Sequence, residues 1–305
     1  MRNEWIRNDV YEHNPLNADG ILFNSHHKLL ETLNLRKEHP EKTFVHRLDG
    51  PLLLGRKYGH KLDRYIFKCN RTIAHGTVFQ SPFSKQQCLF AGMKLPSVED
   101  TIMNSPDPSI FYSINKQRNR NGRIRIVATS WSDNWRKGFS IYQYLDEHLD
   151  FSKYRMTFIG NSPLKFKNII YKAPLTSHEL SKFLHDQDIF LTASEVDPCS
   201  NSLIEALHCG LPAVVRDSGG HPFIVGEAGG LFKNSEDVLE KIGYVSAHLS
   251  ELQKKISVPN IVEVAVAYRD VFLKAAKLPH NTFSWKSYWL VRTLGFWNKY
   301  KNRIK

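Results

Sequence analysis

Cysteine is scarce in this sequence, and the patterns missing around it exclude several classes of protein. The 305 residues include four cysteines (Cys69, Cys88, Cys199 and Cys209), and no two of them form a Cys-x-x-Cys pair. Paired spacings mark zinc sites and thiol redox motifs, so we expect four reduced thiols in a cytoplasmic protein. No apolar run reaches the roughly 18 residues of a membrane-spanning helix, and the first residues lack the pattern of a signal peptide.

Several catalytic signatures are also missing. The sequence contains no Walker loop, no Gly-x-Gly-x-x-Gly and no His-Glu-x-x-His, so ATPase, dehydrogenase and zinc-protease functions have no support. The formal net charge is +12, which indicates a polyanionic neighbour: nucleic acid, anionic lipid or a phosphorylated substrate. Because no zinc-finger spacing or RNA-binding aromatic signature accompanies this charge, we expect no nucleic-acid partner.

Strand and helix patterns alternate along the chain, which predicts an α/β fold with doubly wound parallel sheets. The length suggests about two domains. We predict a first domain at 1–112, a second at 113–278 and a basic aromatic tail at 279–305. The first domain offers strand patterns only at 20–25, 43–47 and 76–81, so we expect it to be shortened and its sheet incomplete.

The stretch from Ile189 to Val215 predicts the most definite local structure. A buried strand (Ile189–Thr192) is followed by an acidic turn and then by a helix (Asn201–His208) that Cys209-Gly210 ends. Ser200 and Asn201 are good N-cap residues, and Ser202 lies in the first turn. A helix that opens directly after a parallel strand points unpaired N–H groups and its positive dipole end at the sheet edge, which favours phosphate binding.

This stretch resembles the donor-binding signature of the GT-B retaining glycosyltransferases of glycosyltransferase family 4. The signature is an acid, seven residues, Glu, and then Cys-Gly-Leu-Pro, and here Asp197 and Glu205 take the two acidic positions. The resemblance implies that Glu205 holds the nucleotide ribose. It also implies that Asp197 holds the donor sugar together with the amides that follow it (Cys199, Ser200, Asn201 and Ser202). Since Asp is one methylene shorter than the family's Glu, Glu195 is an alternative acid.

Two further segments resemble parts of the same family. Ser130–Phe139 is similar to its Gly-Arg…Lys-Gly loop, in which two cations grip the donor diphosphate. Lys137 matches the second cation, whereas Ser130 occupies the place of the first and Arg136 is its candidate substitute. Asp217–Pro222 resembles the family's Gly-Gly-x-x-Glu loop, so Gly219 and Gly220 join the donor-binding set. Phe223 replaces the family's Glu, and the acidic contact is therefore lost.

The predicted catalytic residues are His46, Asp49 and Asp197. His46 and Asp49 lie at the end of a strand whose carboxyl end should face the cleft. The resemblance implies a histidine near the reacting sugar carbon at about this step, which His46 matches. Asp49 is the other candidate for orienting or deprotonating the acceptor hydroxyl. A histidine at a strand end is also often structural, and that alternative stays open. Asp186-Gln187-Asp188 spells the metal motif of another glycosyltransferase fold, but it lacks the surrounding pattern. We therefore expect no metal and no cofactor.

The tail has no acidic residue after Asp270 and is rich in aromatic and basic side chains. These are Phe283, Trp285, Lys286, Tyr288, Trp289, Arg292, Phe296, Trp297, Lys299, Tyr300, Lys301, Arg303 and Lys305. On a helical wheel the aromatics gather on one side. That pattern fits a helix at a membrane interface, and it equally fits a helix that packs on another domain.

The resemblance implies a GT-B hexosyltransferase. Its expected donor is a nucleotide diphosphate sugar, and its expected acceptor is a glycan or a lipid-linked molecule, with retention of configuration. Two alternatives stay open: a non-catalytic nucleotide-sugar-binding subunit, and a basic module that binds membranes or glycans. The expected location is cytoplasmic, with attachment to the inner face of an anionic membrane as an extension.

Overall fold

The computed structural model describes Glu12 and residues 14–54, 59–114, 122–278 and 284–301, the last seven for their backbone alone. Contacts divide the described chain into two compact units. The first comprises the residues up to Met103 and those from Val262 onward, and the second is Asn104–Ile261.

The first unit is built on a four-stranded parallel sheet in the order β1-β2-β3-β4. Its elements are β1 (Gly20–Asn24), α1 (Leu29–Glu38), β2 (Thr43–Leu48), α2 (Gly59–Ile73), β3 (Gly76–Phe79), α3 (Pro82–Phe90), β4 (Glu99–Thr101), α10 (Ile261–Ala276) and α11 (Trp285–Lys301). A single-turn 3₁₀ helix, Leu52–Leu54, precedes α2. Ser81 caps α3 by accepting a hydrogen bond from the Ser84 amide, and Pro82 fits the first helical position.

The second unit carries six parallel strands in the order β10-β9-β8-β5-β6-β7. Its elements are β5 (Ile124–Ser130), α4 (Phe139–His148), β6 (Tyr154–Gly160), β7 (Ile170–Lys172), α5 (Ser177–His185), β8 (Ile189–Thr192), α6 (Asn201–His208), β9 (Ala213–Arg216), α7 (His221–Val225), β10 (Gly229–Phe232), α8 (Ser235–Ala247) and α9 (Leu249–Lys254). Counted within the unit, this is the 3-2-1-4-5-6 order of a Rossmann sheet, and the strand order reverses between β5 and β8.

Each sheet is covered by helices through its own apolar core. In the second unit, Phe139 and Tyr142 of α4 pack on Phe158 of β6, with ring centroids 5.7 and 5.1 Å from that phenyl ring. In the first unit, Leu33, Phe44 and their neighbours fill one face of the sheet. The predicted α/β fold with two doubly wound parallel sheets is thus confirmed.

Two elements differ from the sequence expectations. The segment 93–121 carried no strand pattern, yet Glu99–Thr101 pairs with β3 through Thr77 and Phe79 as a fourth strand. The sequence does not predict this strand because its three residues are polar and only half-buried, so they lack the apolar pattern of a buried strand. The prediction of only three strands for the sheet of the first domain is therefore wrong.

Helix α10 belongs to the first unit, although the sequence places 262–278 in the second domain. Val264, Tyr268 and Val271 are buried against Val45 and Val78 of the first sheet. The sequence of an amphipathic helix does not indicate which of two sheets the helix covers, because its apolar face can pack on either sheet. Whether 1–112 and 113–278 fold as separate domains stays a prediction.

Helix α11 has features of both alternatives for the tail, packing on a domain and lying at a membrane interface. One side packs on the first unit, where Tyr288 and Val291 are each 1% exposed and the Tyr288 hydroxyl donates to Asn34 Oδ1 at 3.0 Å. On the same helix, Trp285 and Trp289 are more than half exposed. Outside the described side chains lie Phe283, Phe296, Trp297, Lys299, Tyr300, Lys301, Arg303 and Lys305.

The four cysteines are buried and free of disulfides. Burial raises the pKa of Cys69 and of Cys88 to about 12, which keeps these thiols protonated and unreactive near neutral pH. Among the described residues, no helix has the length and apolar character needed to cross a bilayer.

Candidate functional site

Three loops of the second unit meet at the carboxyl edge of its sheet, beside the point where the strand order reverses. They follow β5 (131–138), β8 (193–200) and β9 (217–220). In open parallel sheets, ligands bind in the crevice at this switch point. The residues predicted to bind the donor come from these loops and from α6.

The loops after β5 and β8 are joined by an ion pair. Lys137 Nζ lies 3.1 Å from Asp197 Oδ2, and the two side chains are 35% and 18% exposed. The Cys199 amide donates to the other oxygen, Asp197 Oδ1, at 3.3 Å. Lys137, predicted to bind the donor diphosphate, and Asp197, predicted to bind the donor sugar, are therefore in direct contact.

A second ion pair lies next to the first. Arg216, the last residue of β9, places its guanidinium 2.8 Å from Glu195 Oε1. Between the two acids, Val196 has a φ of 48°, a left-handed conformation that is a true outlier for a β-branched residue. Its amide donates to Ser218 Oγ at 3.0 Å. Such strain persists where surrounding contacts enforce it, which is common at ligand sites.

Two glycines allow the loops to approach so closely. Gly138 has a φ of 87°, and a Cβ there would lie 2.2 Å from the Ala193 carbonyl oxygen. Gly219 has a φ of 66°, and a Cβ there would lie 2.4 Å from the Asp197 carbonyl oxygen. The neighbouring Gly220 donates its amide to that same oxygen at 2.8 Å. Gly219 and Gly220 thus shape the acidic turn through the backbone.

Helix α6 opens toward this edge without a side-chain cap. Ser200 is its N-cap residue, but its hydroxyl lies 3.2 Å from Ser202 Oγ and accepts no bond from the helix amides. Asn201 Oδ1 accepts from Asn104 Nδ2 at 2.7 Å. The first turn of α6 therefore presents backbone donors and the positive end of its dipole.

Glu205 is a half-buried carboxylate that has no hydrogen-bond or ion-pair partner among the described residues. Desolvation by burial raises its pKa to about 7. A carboxylate kept without a partner is unfavourable unless a ligand supplies donors, so Glu205 is an acceptor available to the donor groups of a ligand.

Two predicted donor-binding residues form hydrogen bonds that shape the loops. Ser130 Oγ donates to the Ser132 carbonyl at 2.7 Å and accepts from its amide at 3.2 Å, so this buried hydroxyl shapes a turn. The Arg136 carbonyl accepts from the Glu195 amide at 2.7 Å, which ties the first loop to the second. The donor contacts predicted for both residues stay predictions.

His221 is a residue of this region that the sequence reasoning missed, as is Arg216. The ring of His221 is fully buried, and Nδ1 donates to the Arg216 carbonyl at 3.2 Å. Burial is the main cause of its lowered pKa, while the nearby Asp197 acts in the opposite direction and Lys137 lowers it further. Two features of the sequence could have identified these residues. Arg216 is a cation at the end of a predicted strand, and His221 directly follows Gly219-Gly220.

His46, in the first unit, is a core residue. Its ring is fully buried and stacks on Phe23 at 4.2 Å. Nε2 donates to the Ser25 carbonyl at 2.9 Å, Nδ1 accepts from Asn70 at 3.1 Å, and burial lowers the pKa to about 4. With both nitrogens occupied, His46 positions the turn after β1, and this geometry favours the structural alternative over the predicted catalytic role.

Asp49 is more accessible than His46, and its side chain is 48% exposed. It accepts hydrogen bonds from Ser25 Oγ at 2.8 Å, from Arg47 at 3.0 Å and from Gln80 Nε2. These residues follow or end β1, β2 and β3, so Asp49 is the centre of a polar cluster at the carboxyl edge of the first sheet. It stays a catalytic candidate.

The Asp186-Gln187-Asp188 triplet has a structural use. Asp186 ends α5, and Asp188 accepts hydrogen bonds from the Arg125 amide at 2.8 Å and from its guanidinium at 3.2 Å. Within the described ranges, no three His, Cys, Asp or Glu side chains converge as metal ligands would. That transfer needs no metal stays a prediction.

Comparison with known proteins gives one family match. Residues 143–248 match the family described as glycosyl transferases group 1. This region includes Asp197, Glu205 and the glycine loop, and it lies within the second unit. No curated protein sequence matches the chain.

Several solved structures share this fold at low sequence identity. Sucrose-phosphate synthase from Thermosynechococcus elongatus superposes with a TM-score of 0.67 at 14% identity, covering 86% of this chain and 75% of that one. Anabaena HepE in complex with UDP gives 0.68 at 14% identity, with coverages of 84% and 79%. The galactosyltransferase WaaB gives 0.65 at 13% identity, with coverages of 89% and 77%. The fold is therefore GT-B.

The burial of Glu205 predicts a pH-dependent effect of Glu205→Gln on stability. The folded pKa of about 7 lies above the ordinary 4.5, so the carboxyl destabilises the fold increasingly as pH rises between these values. Urea unfolding should show the variant more stable than wild type by roughly 1–3 kcal/mol at pH 8, and nearly equal at pH 4. An equal difference at both pH values would contradict the assignment.

Proposed function

We propose that this chain transfers a sugar from a nucleotide diphosphate sugar to a glycan or lipid-linked acceptor with retention of configuration. One observation carries the proposal: at the switch point of a Rossmann sheet, Lys137, the open first turn of α6 and the unpartnered Glu205 lie on adjoining elements. A cation, backbone donors and a bare carboxylate are what a diphosphate joined to a ribose requires.

The diphosphate binds at Lys137 and the first turn of α6. Both features are positive, and Lys137 is 35% exposed, so it can reach a ligand. A diphosphate diester carries two negative charges and competes with the single charge of Asp197 for this ammonium. Binding therefore frees Asp197 to accept hydrogen bonds from the donor sugar.

The ribose binds at Glu205. This residue lies four positions after Asn201, which corresponds to about 6 Å along the helix axis at 1.5 Å per residue. Ribose hydroxyls donate hydrogen bonds, and a carboxylate without a partner is their natural acceptor. The raised pKa of Glu205 means that such a ligand also favours loss of its proton.

The nucleobase stacks on Trp131, in the loop after β5. Beside Trp131 is a shallow apolar cleft that is too small to hold a base, lined by Thr129, Ser130, Trp131, Ile159, Gly160, Pro174, Leu175 and Leu180. Trp131 is 64% exposed and offers a flat face for stacking. HepE, which shares the fold, is described in complexes with UDP, with UDP and glucose, and with UDP-glucose.

Catalysis in this proposal is positioning combined with charge stabilisation. The acceptor hydroxyl oxygen bonds to the anomeric carbon on the face that the diphosphate leaves and passes its proton to the departing diphosphate oxygen, while the bond from that carbon to the diphosphate breaks. The nucleoside diphosphate leaves with the bonding electrons, and Lys137 and the α6 amides stabilise its added charge. Asp49 is the candidate for orienting the acceptor, because its carboxylate is both accessible and held by three side chains.

A non-catalytic nucleotide-sugar-binding subunit is the second candidate. The observation in its favour is Phe223, which takes the place of a glutamate in the family that this sequence resembles. The side chain of Phe223 is 54% exposed. The two candidates share the donor site and differ in turnover. Release of nucleoside diphosphate in the presence of acceptor separates them.

The donor assignment predicts different affinity losses for two substitutions. Lys137→Ala should weaken binding of UDP-glucose about 10- to 100-fold but leave uridine within twofold, because hydrogen bonds to charged groups contribute about 1.5–3 kcal/mol. Glu205→Ala should weaken both ligands alike. Isothermal titration calorimetry measures each affinity, and other bases replace uridine if UDP-glucose does not bind.

The matched controls are Lys182→Ala and Glu147→Ala, which remove one exposed charge of each sign elsewhere in the same unit. They should leave affinity unchanged. Wild-type affinity in both test variants, with the fold intact by circular dichroism, would overturn the assignment.

Metal independence gives a separate prediction. Because Lys137 and helix amides supply the positive charge, transfer or donor hydrolysis should survive excess EDTA with less than a twofold change in rate. Coupled detection of the released nucleoside diphosphate measures the rate. Loss of activity with EDTA and its recovery with manganese would instead indicate a metal-held diphosphate.

A further inference from the structure

The first unit contains a cavity that the proposed transfer reaction does not use. It has a volume of about 240 Å³ and lies between α2, the segment that follows α3, and α11. Its lining combines basic and apolar side chains: Arg64, Phe67, Lys68, Arg71, Thr72, Ala91, Gly92, Lys94, Ser287, Leu290 and Val291.

Four cations surround the cavity, and no carboxylate lines it. Arg64, Lys68 and Arg71 recur at i, i+4 and i+7, which places them on one face of α2, and Lys94 approaches from the segment after α3. Within the described part of the chain, none of these four side chains forms an ion pair or a side-chain hydrogen bond. Like charges spaced at i, i+4 repel one another, so the row favours an external anion.

The rest of the lining is apolar and continues onto the surface. Phe67 and Leu290 contribute to the wall, and the buried Val291 lies beneath them. Along the chain beside Ala91 and Lys94, Phe90 is 77% exposed and Leu95 is 53% exposed. Large apolar side chains left in water next to a cluster of cations are typical of surfaces that meet a membrane interface.

We propose that this cavity binds the phosphate headgroup of an anionic membrane lipid. The four cations meet the phosphate, and Phe67 and Leu290 contact the first carbons of the lipid. A volume of about 240 Å³ is below the 300–1,000 Å³ of sites for drug-sized ligands, so it holds a headgroup while the acyl chains stay in the bilayer. The inference does not depend on the proposed transferase function.

Co-sedimentation with vesicles tests this proposal on the full chain. The protein should bind vesicles containing phosphatidylglycerol, bind neutral phosphatidylcholine vesicles at least 10-fold less, and dissociate as salt rises from 50 to 500 mM. Arg64→Gln/Lys68→Gln/Lys94→Gln should lower the partition coefficient about 100-fold, the loss expected for three basic side chains at an anionic surface.

The control separates a built site from general basicity. Lys165→Gln/Lys182→Gln/Lys274→Gln removes the same charge from exposed positions outside the cavity and should lower partitioning less than fivefold. Leu290→Ser should weaken binding without changing net charge. Equal losses in both triple variants, no binding by wild type, or capture of soluble glycerol phosphate without vesicle binding would each overturn the proposal.

Discussion

The ion pair between Lys137 and Asp197 is the contact on which the second unit's site depends. It joins the loop after β5 to the loop after β8 across the switch point of the sheet. The left-handed Val196 and the two glycines at 138 and 219 are the backbone conditions for that contact. A partly buried pair gains little net stability over hydration, so an incoming diphosphate can take over the ammonium at modest cost.

The two carboxyl edges differ in how their polar groups are satisfied. In the first unit, His46 has both ring nitrogens bonded and Asp49 is held by three side chains. In the second unit, Glu205 is bonded to nothing described, and the first turn of α6 has no side-chain cap. Unsatisfied groups at a switch point bind ligands, whereas satisfied groups hold loops in place. The proposed donor site therefore rests on more observations than the proposed role of Asp49.

The sequence predicted most of the second unit because local signals coincide there. The bounds of β8 and α6 match their predictions, since caps, Cys-Gly and Pro212 mark each end. The strand Glu99–Thr101 was missed because it is short and polar. The packing of α10 on the first sheet was not predicted either, because an amphipathic pattern does not indicate which sheet a helix covers. Arg216 and His221 were missed for a related reason. Their importance comes from neighbours in space, which spacing along the chain does not reveal.

The central claim is that the edge of the second sheet holds a nucleotide diphosphate sugar. A calorimetric screen of the common nucleotide sugars, followed by assay of donor hydrolysis for those that bind, tests it most directly. The account predicts that at least one nucleotide sugar binds more tightly than its free nucleoside and is slowly hydrolysed to the nucleoside diphosphate. Binding of none of them, by a chain with intact near-UV circular dichroism, would contradict it.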